Sequence, residues 1–504
     1  MSTATRTFRI DRDSKTSLTQ QIVAHFSQAI RDGVLLFGTK MPSIRDLAEQ
    51  LEVNKICVIS AYEKLTDDNL IVSRPGSGFF VAFRPRRPQL AASVPKKTMP
   101  SPPSHLDGVE ERLPRLIPGV LSTATDLVPL GGAHAPVDFV PIDDLRSAAR
   151  HVLHDFTSMN LSYENPQGHL GLRERIVAEL EHRGVPVAGP EQLLTTGGAL
   201  QALNLCLDVL TRPGDAVVAE VPSFSLLFPI LAQRGLKLIP LHRSFDGITL
   251  DAALEQEIKR EKPRVVLVSP NFHNPTGGIL SPHERHEVLR MATNCDATIV
   301  EMDVYQGLFF GDFVQAPIAA LDGLVRCLHI SSFSKIVAPG LRVGYVAGPA
   351  EIIQKMTRRK LITEISSSSL DQAIVCELMA RGVVRKQISK SRELFRSRRD
   401  TLISMLKKLS PAGSQWTQPE GGLFLWFEFP PGAPAGEIEK TASERKILIA
   451  PGSMFYPSHP DSRHMRLNFS ALEPMQTYRG LETVFAIWRA ASARRWGTAK
   501  QENL

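Results

Sequence analysis

From Leu18 to Ile30 the apolar residues Leu18, Ile22, Phe26 and Ile30 recur every four positions, which predicts an amphipathic helix. In MPSIRDLAEQLEV, residues 41–53, Ser43 is a good N-cap and Asp46 resembles the acidic partner of a capping box. After a break at Val53-Asn54, KICVISAYEKLTDDNL predicts a third helix with Asn54 as its cap. IVSRPGSGFFVAF then reads as two short strands around a Pro-Gly-Ser-Gly turn. Helix, helix, turn, helix and hairpin is the order of a winged helix-turn-helix.

Residues 83–119 are rich in proline and carry Arg84, Arg86, Arg87, Lys96 and Lys97, the texture of a semi-rigid or disordered linker. These charges either add non-specific attraction to phosphates or are simply solvated. From about Leu121 short apolar runs alternate with helical segments: VVAE at 217, VVLVS at 265, ATIVEMD at 297 and CLHIS at 327. Buried runs separated by helices predict an α/β domain with a mostly parallel sheet covered on both faces. The last strand is expected at Val325–Ile330.

A length of 504 residues calls for two or more domains, and 43% hydrophobic with 22% charged residues is the balance of a soluble globular protein. There is no apolar run long enough for a membrane span, and the polar start MSTATRTFRIDRD is unlike a secretory signal. Five scattered cysteines without a CxxC pair argue against a metal site or disulfide framework and for a reducing cytoplasm. The net charge of +7 permits a nucleic-acid partner without requiring one. Residues 6–74 hold ten basic and nine acidic side chains, so charge alone does not separate a DNA-binding unit from a helical adaptor that binds protein.

The stretch SSFSKIVAPGLRVGY, residues 331–345, sets Lys335 among Ser331, Ser332 and Ser334, with Arg342 shortly after. Such a set suits a cofactor carrying an aldehyde and a phosphate. The lysine can form a Schiff base, and the hydroxyls and guanidinium can hold the phosphate. The same residues also fit a surface lysine in a serine-rich loop.

The N-terminal stretch, residues 15–82, resembles the GntR-type DNA-binding domain through Met41-Pro42-Ser43-Ile44-Arg45, Leu47-Ala48, Ala61-Tyr62-Glu63-Lys64-Leu65 and Gly76-Ser77-Gly78-Phe79. The resemblance implies that Asn54, Lys55, Ile56 and on to Ile59 face the major groove of duplex DNA, with Arg45 on a phosphate beside Ser43. It implies that Arg74, Gly76, Ser77 and Gly78 lie near the minor groove. Asn69 stands where the family usually has glycine, and asparagine tolerates the left-handed conformation.

In chain order the remaining motifs resemble the fold type I aminotransferases, in the arrangement of the MocR-type regulators. Tyr163-Glu164-Asn165-Pro166-Gln167-Gly168 looks like the YxxPxG segment, which implies that Tyr163 reaches the partner subunit's cofactor phosphate. Gly197-Gly198-Ala199 opens an apolar helix, whose amides suit a phosphate. Leu200 departs from the glutamine common there. Phe224 in Glu220-Val221-Pro222-Ser223-Phe224 would stack on a pyridine ring, or is a core residue at a turn. Asn274 in HNPTGG is implied as partner of the ring hydroxyl. Asp303, with Tyr305 two residues on, is implied as partner of the ring nitrogen; a turn cap is the plainer alternative. Arg466 in His464-Met465-Arg466-Leu467-Asn468-Phe469 would clamp an α-carboxylate, or form a structural ion pair. Pro419-Glu420-Gly421-Gly422-Leu423-Phe424 matches a further signature.

The expected protein is a cytoplasmic homodimer with a winged helix-turn-helix at 15–82, a linker at 83–119 and an aminotransferase-like domain at 120–495. It carries pyridoxal 5′-phosphate on Lys335, within a set comprising Tyr163, Gly198, Ala199, Leu200, Phe224, Asn274, Asp303, Tyr305, Ser332, Ser334 and Arg342. It regulates transcription and senses an amino-acid-like effector through external aldimine formation. The rival is a working aminotransferase with a DNA-binding appendage; a third reading is a sensor of pyridoxal phosphate itself.

Overall fold

The computed structural model describes residues 10–82 and 128–501, apart from short breaks at 13, 15, 32–33, 36–37, 75–77, 134, 137–138, 156–161, 246, 312–314, 433–434, 458–462 and 472. The linker expected at 83–119 lies outside the described residues, as do Gly76 and Ser77.

Among the described residues the first unit has three helices, α1 (Leu18–Arg31), α2 (Ile44–Gln50) and α3 (Lys55–Asp67), and a hairpin of β1 (Ile71–Arg74) with β2 (Gly78–Val81). The four-residue apolar spacing of α1 buries Ile22, Phe26 and Ile30 against Leu47, Val58, Tyr62 and Leu65. Both expected caps are present. Ser43 accepts a hydrogen bond from the Asp46 amide at 3.1 Å, and Asn54 accepts from the Ile56 amide at 3.0 Å. The Tyr62 hydroxyl donates to the Pro42 carbonyl at 2.9 Å, fastening α3 to the start of α2. Asn69 takes the left-handed conformation, φ +56°, where α3 turns into β1.

In the second unit an eight-stranded sheet runs in the order β3-β10-β9-β8-β7-β4-β5-β6. The strands are β3 (Leu193–Thr196), β4 (Ala216–Val221), β5 (Lys237–Ser244), β6 (Gly247–Ile248), β7 (Val265–Val268), β8 (Thr298–Met302), β9 (Cys327–Ser332) and β10 (Gly344–Ala347). β5, β4, β7, β8 and β9 are mutually parallel, while β10 runs antiparallel between β3 and β9. Alternate residues of one strand enter two separate cores. Val218, Val266 and Ile299 lie on one side, and Val217, Val265 and Val300 on the other. That double burial is why these strands read as continuous apolar runs. β9 starts two residues later than expected, so Ser331 and Ser332 belong to the strand and not to a loop.

A smaller antiparallel sheet, β11 (Gln415–Trp416), β12 (Phe424–Glu428), β13 (Ala450–Pro451) and β14 (His464–Asn468), has the order β11-β12-β14-β13. The long helices Val383–Leu409 and Pro474–Gln501 pack with it around Phe395, Phe427, Phe429 and Phe485. No helix among the described residues is long and apolar enough to cross a membrane.

Candidate functional site

The parallel strands deliver the chemistry at their carboxyl ends, where open α/β sheets form their binding crevice. β4 ends at Val221 before Pro222-Ser223-Phe224, β7 leads to Asn271 and Asn274, β8 is followed by Asp303, and β9 runs into a short 3-10 turn, Phe333–Lys335.

Lys335 donates from Nζ to the Ala133 carbonyl at 2.6 Å. Burial, then the nearby cations Arg466 and Arg342, push its amine down to about 8. Arg466 lies on β14, 5% exposed. Its Nη1 donates to Asn274 Oδ1 at 2.8 Å and its Nη2 to the Gly131 carbonyl at 2.6 Å. Its guanidinium lies over the Phe424 and Phe455 rings, 4.2 and 4.9 Å from their centroids. Nε is buried without a hydrogen-bond partner, and no carboxylate of the described residues pairs with this cation. Burial lowers the guanidinium to about 10. Asn468 donates to the Gly132 carbonyl at 2.9 Å. Three successive carbonyls, 131 to 133, thus receive Arg466, Asn468 and Lys335.

Asp303 is fully buried. Its Oδ2 accepts from Arg183 at 2.6 Å and its Oδ1 from Asn271 at 3.3 Å. Burial acts to raise this carboxyl, but the Arg183 guanidinium outweighs it and holds the group below the ordinary aspartate value. This is an ion pair rather than a turn cap. Tyr305 is buried, edge-on to Phe424 with centroids 5.8 Å apart, and burial raises its hydroxyl.

The helix Ala199–Leu210 starts from Gly198, φ +104°, with no side chain capping its first amides. Arg342 donates from Nη2 to the Gly197 carbonyl at 2.7 Å beside that helix start. Leu200 is 37% exposed in the first turn. Ser332 Oγ caps the Lys335 turn, accepting from the Ser334 amide at 3.2 Å and lying 2.9 Å from Ser334 Oγ. Ser331 is drawn away from the cluster: its hydroxyl donates to the Asp303 carbonyl at 2.8 Å. Phe224 is half-buried after β4. Tyr163 is 79% exposed.

In the first unit Ser43, Arg45, Asn54, Lys55, Ile56 and Gly78 are all exposed. Arg74 ends β1.

Residues 129–484 match the model of aminotransferase class I and II. The chain belongs to the aminotransferase class I and II family. Residues 18–81 match the bacterial regulatory proteins of the gntR family, and the two together make this aminotransferase-family chain a transcriptional regulator of the MocR type. It is 30% identical to the HTH-type transcriptional regulator YdcR of Escherichia coli (strain K12), over 89% of this chain and 94% of that one. It is 27% identical to the HTH-type transcriptional regulator YisV of Bacillus subtilis (strain 168), over 92% and 95%. Among solved structures it is similar to LysN, an alpha-aminoadipate aminotransferase from Thermus thermophilus complexed with N-(5′-phosphopyridoxyl)-L-leucine. That likeness has a TM-score of 0.68 and 26% identity, and covers 73% of this chain and 94% of that chain.

Pyridoxal 5′-phosphate is the cofactor of this aminotransferase fold. The site fits it: an uncapped helix start for an anion, a buried lysine with a lowered amine, and a buried guanidinium nitrogen left without a partner. Sequence reasoning missed Arg183, which holds Asp303, and the buried His329, whose Nδ1 lies 2.9 Å from Glu301 Oε2. It also missed Asn468. No motif marks Arg183 or gives His329 a role, and Asn468 lies in a quoted motif without a role of its own, because each matters only through a partner distant in the chain.

Proposed function

We propose that this regulator senses an amino compound bearing a carboxylate, and that Arg466 and Lys335 read its two ends. The observation that carries the proposal is the buried Arg466, a cation beside a second amine with no anion of the described residues to neutralise it. A buried unpaired charge is expensive, so a site that keeps one is built for an anionic ligand.

When bound, pyridoxal phosphate supplies an aldehyde for amines and a ring that withdraws electrons. The residues then have distinct tasks. Lys335 would hold the cofactor through Nζ. Its lowered amine is ready both to bond and to take a proton. Asp303, kept ionised by Arg183, would serve the ring nitrogen, Asn274 and Tyr305 the ring hydroxyl, and Phe224 would cover the ring. Gly198, Ala199, Leu200, Ser332, Ser334 and Arg342 would hold the phosphate, and Arg466 would fork onto the ligand carboxylate.

Tyr163 fits a role in the partner's site, because its ring is out in water. Ile362 is 77% exposed and Ile365 44%, which suits a face covered in a homodimer. The chain divides at 15–82, 83–119 and 120–495 and works in the cytoplasm on operator DNA. Arg45 meets a phosphate, Asn54 to Ile59 enter the major groove, and Arg74 with Gly76, Ser77 and Gly78 lies by the minor groove.

A second reading, a working aminotransferase, is favoured by the completeness of the site. One experiment separates them: amino acids are titrated into the cofactor-loaded protein while absorbance, product and DNA affinity are followed together. The proposal expects a spectral change and a change in DNA affinity with little product. Steady product at about 1 per second or faster, with DNA affinity indifferent to the ligand, overturns it.

A further inference from the structure

The helix α3 has two sides of different character. One is buried through Val58, Ala61, Tyr62 and Leu65. The other carries two isoleucines in water, Ile56 at 67% and Ile59 at 39% exposed. They stand three positions apart, so their side chains share one face of the helix. Ile56 is in the first turn, which in helix-turn-helix proteins points at base edges.

The polar neighbours of Ile56 do not compete for the same task. Asn54 uses its Oδ1 to accept the Ile56 amide, which removes it as a two-bond reader of adenine. Lys55 and Arg45 are exposed and form no ion pair among the described residues, which leaves them free for phosphates. The major groove offers one apolar group among its donors and acceptors, the 5-methyl of thymine. An isoleucine has no hydrogen-bonding atom, so against guanine or cytosine it would only strip water from their polar edges.

We propose that Ile56 and Ile59 read thymine 5-methyl groups in the major groove, so that the operator carries thymine under this face. The inference rests on the DNA-binding reading above, with an exposed apolar patch that starts next to Lys55 on the same helix as its support.

The test uses the full-length, cofactor-loaded protein and a duplex enriched from a randomised pool by that protein. Each thymine of the duplex is replaced in turn by uracil, which lacks only the methyl group. At one or two positions wild type should bind about fourfold more weakly, the equivalent of ~0.8 kcal/mol for one buried methyl. Ile56→Ala or Ile59→Ala should bind the thymine and uracil forms of the affected position equally, while keeping the wild-type salt dependence. Equal affinity of wild type for all uracil duplexes overturns the proposal and leaves DNA binding intact. So does an unchanged thymine preference in both variants. If no duplex is enriched at all, the DNA-binding reading fails and this one with it.

Discussion

Lys335 and Arg466 show how burial changes what a residue type can do. The ammonium of Lys335 gives up its proton at about 8 instead of the ordinary 10.5, because burial and two cations work against its charge. Between these values the unfolded chain binds the extra proton, so this group's contribution to stability grows as pH rises from about 8 to 10.5. The free amine also becomes available from about 8 upward. Uptake of pyridoxal phosphate by the cofactor-free protein should therefore quicken with pH around a midpoint near 8, followed by visible absorbance. Lys335→Ala should not develop that absorbance; equal colour would put the covalent link on another residue. Arg466→Ala should keep the colour and lose ligand binding by roughly 2–5 kcal/mol, as for truncation of a buried charge pair. Coincident amino-acid titrations of wild type and variant would remove Arg466 from the clamp.

Helix starts and tight turns carry the site at the scale of elements. Gly168 closes the turn before the helix Leu170–His182, at φ +102°, and a Cβ there would stand 1.7 Å from Thr195 Oγ1. Gly168→Ala combines that clash with an unfavourable backbone conformation, and should lower stability by roughly 2 kcal/mol or more. Urea or thermal unfolding would read it, and an unchanged midpoint would contradict the packing of β3 on this turn. In the first unit, Arg45 stands exposed on α2. If it holds one phosphate, Arg45→Ala should reduce the slope of log affinity against log salt by about one. An unchanged footprint and slope would take Arg45 off the DNA.

At the scale of the molecule the question is how a ligand near Lys335 reaches DNA. A switch works only if the ligand binds two arrangements of the protein with different affinity, and the coupling is then mutual. An amino compound should shift DNA affinity in wild type and have no effect in Lys335→Ala. By reciprocity, operator DNA should change the apparent affinity for the amino compound by the same factor, measurable by absorbance titration with and without the duplex. A ligand affinity unchanged by the duplex would rule out coupling between the two sites.

What the sequence alone determined is what neighbours in the chain can settle. The caps Ser43 and Asn54, the left-handed Asn69 and the apolar runs of β4, β7, β8 and β9 all follow from local hydrogen bonding and two-sided burial. The serine-rich surroundings of Lys335 fitted a surface loop as well, and only its place in the series of motifs along the chain singled it out. Tertiary structure alone decided the rest. It drew Ser331 into β9 and onto Asp303, inserted β10 antiparallel between β3 and β9, and paired Arg183 with Asp303 across 120 residues. Lys335 meets Ala133 across 202 residues, and Arg466 meets Gly131 across 335. Such pairs leave no local pattern, because the energy that selects them comes from burying a charge and finding it a partner, and both partners exist only once the sheet is assembled.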